Sequence, residues 1–100
     1  MIRGTTPIHT FTLPLETSLI KDLRVIYAQN DVVIVTKMME DCLLEGSTIT
    51  LELSQEDSLS FSDRVPVQIQ LRVLTTSGHS LTSYIQTVPV EKCLSDEVLT

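Results

Sequence analysis

The chain has 100 residues, 42% hydrophobic and 20% charged, the size and apolar share of one domain that builds a core without disulfide help. Its net charge is −6, from 13 acidic and 7 basic residues, and Arg3, Lys21, Arg24, Lys37, Arg64, Arg72 and Lys92 are spread singly, which argues against a nucleic-acid or anionic-membrane partner, since both need clustered cations. With two Phe, two Tyr and no Trp, the core falls to Val, Ile and Leu, which favours strands; three Gly and four Pro argue against a low-complexity or disordered chain.

A first strand is expected from Ile8 to Leu13, where Phe11, Leu13 and Leu15 alternate with Thr10, Thr12 and Pro14 and Pro14 marks an exit. After a turn at Glu16 to Ser18, Leu23, Val25 and Tyr27 alternate with Arg24, Ile26 and Ala28 in a second strand. Gln29-Asn30-Asp31 closes a hairpin, because Asn and Asp tolerate left-handed backbone. Val32 to Met38 returns as a third strand, whose run Val32-Val33-Ile34-Val35 has no alternation and so no legible register. Glu40-Asp41 marks a turn, and Gly46 supplies positive φ before a clean strand from Thr48 to Leu53, with Ile49, Leu51 and Leu53 inward. Ser54-Gln55-Glu56-Asp57 has the form of a capping box. The Ser-rich stretch behind it predicts one helical turn or a wide loop, with Leu59 and Phe61 closing the end of the core.

The most regular stretch is Arg64 to Val73. Val65, Val67, Ile69, Leu71 and Val73 occupy every second position, with Pro66, Gln68, Gln70 and Arg72 between them. A helix would scatter those five apolar residues around its circumference, so this is a strand with one face in the core and one toward water. A hairpin loop with Gly78 follows. Leu81 to Val90 is the last long strand, in which Tyr84, Val88 and Val90 share one register and Leu81 and Ile85 the other, so a bulge is expected near Gln86 or Thr87. Residues 91–100 carry Leu94, Val98 and Leu99 as a short helical turn or a tail that orders against a partner. The whole reads as a single all-β domain: an antiparallel β-sandwich of immunoglobulin-like layout with about six or seven strands, a small barrel being the alternative.

Few residues suggest chemistry. His9 and His79 stand apart, with no G-x-S-x-G elbow to complete a triad. Glu40-Asp41, Glu56-Asp57 and Asp96-Glu97 are adjacent pairs, and adjacent carboxylates in extended chain face opposite sides instead of sharing a cleft. Met38, Met39 and Cys42 read as core filler, not a soft-metal site, and Cys42 and Cys93 as free thiols. No nucleotide, calcium or other cofactor motif is present. No catalytic, cofactor-binding or metal-binding residue is assigned, and an enzyme is not expected. The interaction surface expected instead comprises Gln68, Gln70 and Arg72 on the outward face of the central strand, Tyr84, and the apolar residues Leu94, Val98 and Leu99 of the last segment.

No apolar run approaches the ~18 residues of a membrane span, and Met1 to Pro7 lacks the apolar stretch of a secretory signal. The expected location is the cytoplasm of the producing cell, or a virion assembled there.

The segments M-I-R-G-T-T-P (Met1 to Pro7), I-Y-A-Q-N (Ile26 to Asn30), L-E-G-S-T-I-T-L-E-L-S-Q-E-D (Leu44 to Asp57), Q-I-Q-L-R-V-L-T-T-S-G (Gln68 to Gly78) and V-E-K-C-L (Val90 to Leu94) resemble a family of small phage- and prophage-encoded proteins of gut Firmicutes. A looser likeness, through Leu53 to Glu56, Val67 to Val73, Gly78 and Ser83 to Val90, is to the N-terminal β-sandwich module of phage baseplate upper proteins. The helical and receptor-binding regions that follow that module are not in this sequence. The resemblance implies no enzymatic activity. It implies a non-enzymatic phage or prophage structural module that docks on other virion proteins and forms a homo-oligomer. The alternatives are a carbohydrate or host-surface binding module and a small inhibitor of a host protein.

Overall fold

Strand β6 (Val67–Thr75) buries Val67, Ile69, Leu71, Val73 and Thr75 and turns the residues between them outward, as the period of two requires. The computed structural model describes residues 1–100. Strand β6 pairs antiparallel with β2 (Ile20–Gln29), setting Arg24 opposite Arg72, Ile26 opposite Gln70 and Ala28 opposite Gln68. Strand β3 (Val32–Met38) lies on the other side of β2, and β7 (Ser80–Thr82) and β8 (Gln86–Val88) share the far edge of β6. The second sheet has the order β1–β5–β4, from β1 (Ile8–Thr12), β5 (Thr48–Glu52) and β4 (Leu43–Glu45). Every strand pairing is antiparallel.

The two sheets enclose one core, in which Leu23, Val25 and Tyr27 of β2 and the inward residues of β6 meet Ile49 and Leu51 of β5, with Leu53, Phe61 and Val90 closing it. Each large apolar side chain here contributes about 1.5–3 kcal/mol by leaving water. The molecule is therefore a two-sheet antiparallel β-sandwich, with eight strands instead of six or seven because two short ones, β4 and the split β7/β8 edge, add to the count.

Local chemistry explains the turns. Asn30 and Asp31 both take positive φ, 50° and 64°, the two-residue hairpin geometry that matches strand twist. Helix α1 (Gln55–Leu59) starts at the expected capping box: the Ser54 hydroxyl accepts from the Asp57 N–H at 3.0 Å, and the Asp57 carboxylate accepts from the Ser54 N–H at 3.1 Å. The Arg3 guanidinium donates to the carbonyls of Leu59 and Phe61, both at 2.8 Å, so it tethers the first residues to the end of that helix.

Three expectations need correction, and the register left open in β3 is resolved. The strand expected from Arg64 begins at Val67, because Pro66 has no N–H to give a ladder. The buried Gln29 amide instead holds residues 62–65 as a loop, donating to the carbonyls of Ser62 and Val65 at 2.8 and 3.0 Å. The missing alternation in β3 is a bulge: Tyr27 faces Val35 but Ala28 faces Val33, so Ile34 is the extra residue. The irregularity in the last strand lies at residues 83–85, not at Gln86 or Thr87. Arg72 pairs with Thr82 and Ile69 with Gln86, which leaves three residues against two. The Ser83 hydroxyl seals the gap by accepting from the Leu71 N–H at 2.9 Å. Residues 91–100 form no helical turn; Asp96 pairs with Arg3 at 3.0 Å, and the Gln55 amide makes two bonds to the Leu99 backbone.

Candidate functional site

The outward face of the five-stranded sheet follows from strand register. Its rows run Met38–Arg24–Arg72–Thr82, then Thr36–Ile26–Gln70, then Val33–Ala28–Gln68–Thr87. The three-stranded sheet packs on the opposite face, and no element covers this one. A depression of about 160 Å³ lies on it, lined by Ile26, Ala28, Val33 and Ile85 and rimmed by Gln68 and Gln70. The face continues to the edge strand β3, whose Val32 and Val33 are 61% and 56% exposed and whose outer backbone groups face no strand. An uncovered edge of this kind is a template for another chain.

That edge also carries two restraints. The Ile34 bulge breaks its regularity, and Lys37 points inward to the Asp57 carboxylate at 2.8 Å. Inward charge and bulges discourage indiscriminate edge pairing. Burial alone would raise the Asp57 carboxyl, but hydrogen bonds from Lys37 and Ser54 outweigh it and hold it below the ordinary carboxylate range.

The expected surface residues divide into three groups. Gln68, Gln70 and Arg72 do share the outward face. Both ends of the Gln68 amide, however, are committed to the hairpin: its Oε1 accepts from the Asp31 N–H at 2.8 Å and its Nε2 donates to the Asp31 carboxylate at 2.9 Å. The Gln70 Nε2 donates to the Ser83 carbonyl at 3.0 Å. Tyr84 projects from the bulge, 95% exposed. Leu94, Val98 and Leu99 lie by the α1 end of the sandwich, all exposed. Absent from the expected set were Arg24, Ile26, Val33 and Ile85. Arg24 and Ile26 showed an outward signal in the alternation of their strand, but which β6 residues they would face depends on tertiary register.

The titratable groups with displaced equilibria lie mainly between the sheets. His9 of β1 reaches across to the Tyr27 hydroxyl, 2.8 Å from its Nδ1, with ring centroids 5.5 Å apart, and Tyr27 in turn packs on Phe61. Burial lowers the His9 imidazole and raises the Tyr27 phenol, which the nearby Cys42 and Asp57 raise further. Burial, then Asp41, raises the Cys42 thiol. These shifts keep the phenol and thiol protonated, the opposite of nucleophile activation. Every buried side-chain nitrogen and oxygen has a hydrogen-bond partner, so this cluster is a satisfied pin between the sheets. No three His, Cys, Asp or Glu side chains converge as a metal site would need, and no helix is long and apolar enough to cross a membrane.

Comparison with protein-family models, with curated proteins and with solved structures gave no match.

Proposed function

We propose that this chain is a non-enzymatic docking module, a baseplate-type structural part of a phage or prophage particle that assembles with other virion proteins and with copies of itself. The supporting observation is the uncovered apolar ground of edge strand β3, where Val32, Val33 and Met38 are exposed beside unpaired strand backbone, and of the adjoining sheet face, whose depression Ile85 lines from the far edge. Strand addition draws its affinity from main-chain hydrogen bonds and needs no side-chain signature, which suits a sheet face whose Gln68 and Gln70 amides are committed to the chain's own fold. The module is made in the cytoplasm and carried into the particle. Mass spectrometry of purified induced particles tests this: the chain is expected in a fixed ratio to the tail or baseplate proteins, and its absence from intact particles refutes the reading. Tyr84, with its exposed ring, favours a carbohydrate-binding module as the second reading. Glycan-array binding lost in Tyr84→Ala would select it over the first.

A further inference from the structure

We propose that copies of this chain join head to tail, the segment Leu94–Thr100 of one copy lying across the outward face of the next copy's five-stranded sheet, with Glu97 on the Arg24–Arg72 pair and Leu99 in the adjoining apolar depression. This rests on the reading of the chain as an assembling part and names one of its contacts.

The receiving surface starts from an electrostatic conflict. Arg24 and Arg72 stand directly opposite each other on neighbouring strands, and like charges in that position repel. Asp22 relieves only one of them, accepting from Arg24 Nη1 at 2.7 Å. The chain's ion pairs are Arg3–Asp96, Arg24–Asp22 and Lys37–Asp57, so Arg72 has no carboxylate of its own. A guanidinium carries about five N–H donors. Arg24 directs Nη1 to Asp22 and to the Leu23 carbonyl, which leaves its Nε and Nη2, and the whole Arg72 fork, open beside a shallow hollow of about 200 Å³ that Leu74 and Ser80 also line. One further carboxylate would complete the cluster with bidentate geometry. Ile26, Val33 and Ile85 lie next along the same face.

The last segment offers the complement. Asp96 is taken by Arg3, whereas Glu97 has no ion pair. Gln55 holds the Leu99 backbone through two 2.9 Å bonds while the Leu99 side chain stays 71% exposed. The tether therefore fixes the segment on its own copy and leaves the two side chains free, which lowers the ordering cost of a contact with another copy. In extended chain, residues two apart point to the same side about 6.6 Å apart. Arg24 and Ile26 have that separation along β2, and Glu97 and Leu99, also two apart in sequence, match it when the segment lies extended across the sheet. The two surfaces differ, so the contact is heterologous and propagates into a ring or filament.

Sedimentation velocity on the full chain over a concentration series tests the proposal. Species larger than a dimer are expected to grow with concentration and to weaken as salt is added. Glu97→Arg and Arg72→Glu should each weaken association about tenfold, and the variant carrying both reversals should recover it. Both sites are at the surface, and circular dichroism should report the same β-rich fold in every variant. A wild-type chain that stays monomeric, or association indifferent to both reversals, overturns the proposal. A monomer still found in particles removes this contact alone and leaves the docking reading. Self-association through Glu97 and Arg72 in a chain absent from particles does the reverse.

Discussion

Replacing Tyr27 by Phe removes one hydroxyl from the bridge between the sheets and leaves the ring packed on Phe61. The hydroxyl's hydrogen bond to His9 contributes about 1 kcal/mol net. His9 is only half buried, so water reaches the freed nitrogen and keeps the loss near that low end. For a domain of this length, a loss of that size lowers Tm by roughly 4–8 °C. The pH profile separates the hydrogen bond from the burial. Burial lowers His9 from its ordinary 6.5, so below that value the unfolded chain takes up a proton that the folded chain resists. The stability from neutral His9 is thus complete above 6.5 and is lost as the pH falls through the folded value. The Tyr27 oxygen can accept from protonated His9 as well as donate to the neutral ring, and the lowering comes mainly from burial. Tyr27→Phe should therefore run parallel to wild type, offset by about 1 kcal/mol, whereas His9→Gln should flatten the slope just below pH 6.5. Urea unfolding followed by circular dichroism at several pH values provides both curves. An unshifted Tyr27→Phe curve, or a His9→Gln variant as acid-sensitive as wild type in that window, refutes the reasoning.

Ser54→Ala deletes the cap of α1 and should cost about 1 kcal/mol by urea titration, while Ser54→Asp should retain most of it. Lys37→Met leaves the Asp57 carboxylate partly buried without its cation and should cost about 1–2 kcal/mol, well short of a fully buried pair. The same change removes an inward charge from edge strand β3, so light scattering should show more aggregation than wild type at equal protein concentration. Gly46→Ala meets no atom within 4 Å but holds φ at +58°, so backbone strain alone predicts a loss of about 1 kcal/mol. A Tm equal to wild type would show that the turn relaxes.

The regular parts of the fold were legible because one face of each strand is buried and the other is not. Val67 to Val73 and Leu23 to Tyr27 wrote that asymmetry directly as period two, and Ser54 and Asp57 announced the helix start through the chemistry of unsatisfied N–H groups. The bulges were legible only as broken patterns. Val32 to Val35 lost alternation because Ile34 is an extra residue, and its location depends on pairing with β2. The last strand misled by two or three residues because a bulge at 83–85 shifts the register on one side as readily as one at Gln86. Of the surface, Gln68 and Gln70 were correctly placed outward, yet nothing local revealed that the hairpin and the bulge had claimed their amides. The Arg24–Arg72 opposition joins strands that are 48 positions apart in sequence and are brought into register by tertiary pairing, so reading along the chain could not find it.

The central claim is that another chain covers the β3 edge in the working assembly. Photo-crosslinking in purified particles tests it most directly, with a crosslinking residue placed at Val33 and, as a control on the opposite sheet, at Glu52. The docking account predicts an adduct to a particle protein from Val33 and none, or far less, from Glu52. Equal labelling from both positions, or none from Val33 in particles that contain the chain, would contradict it.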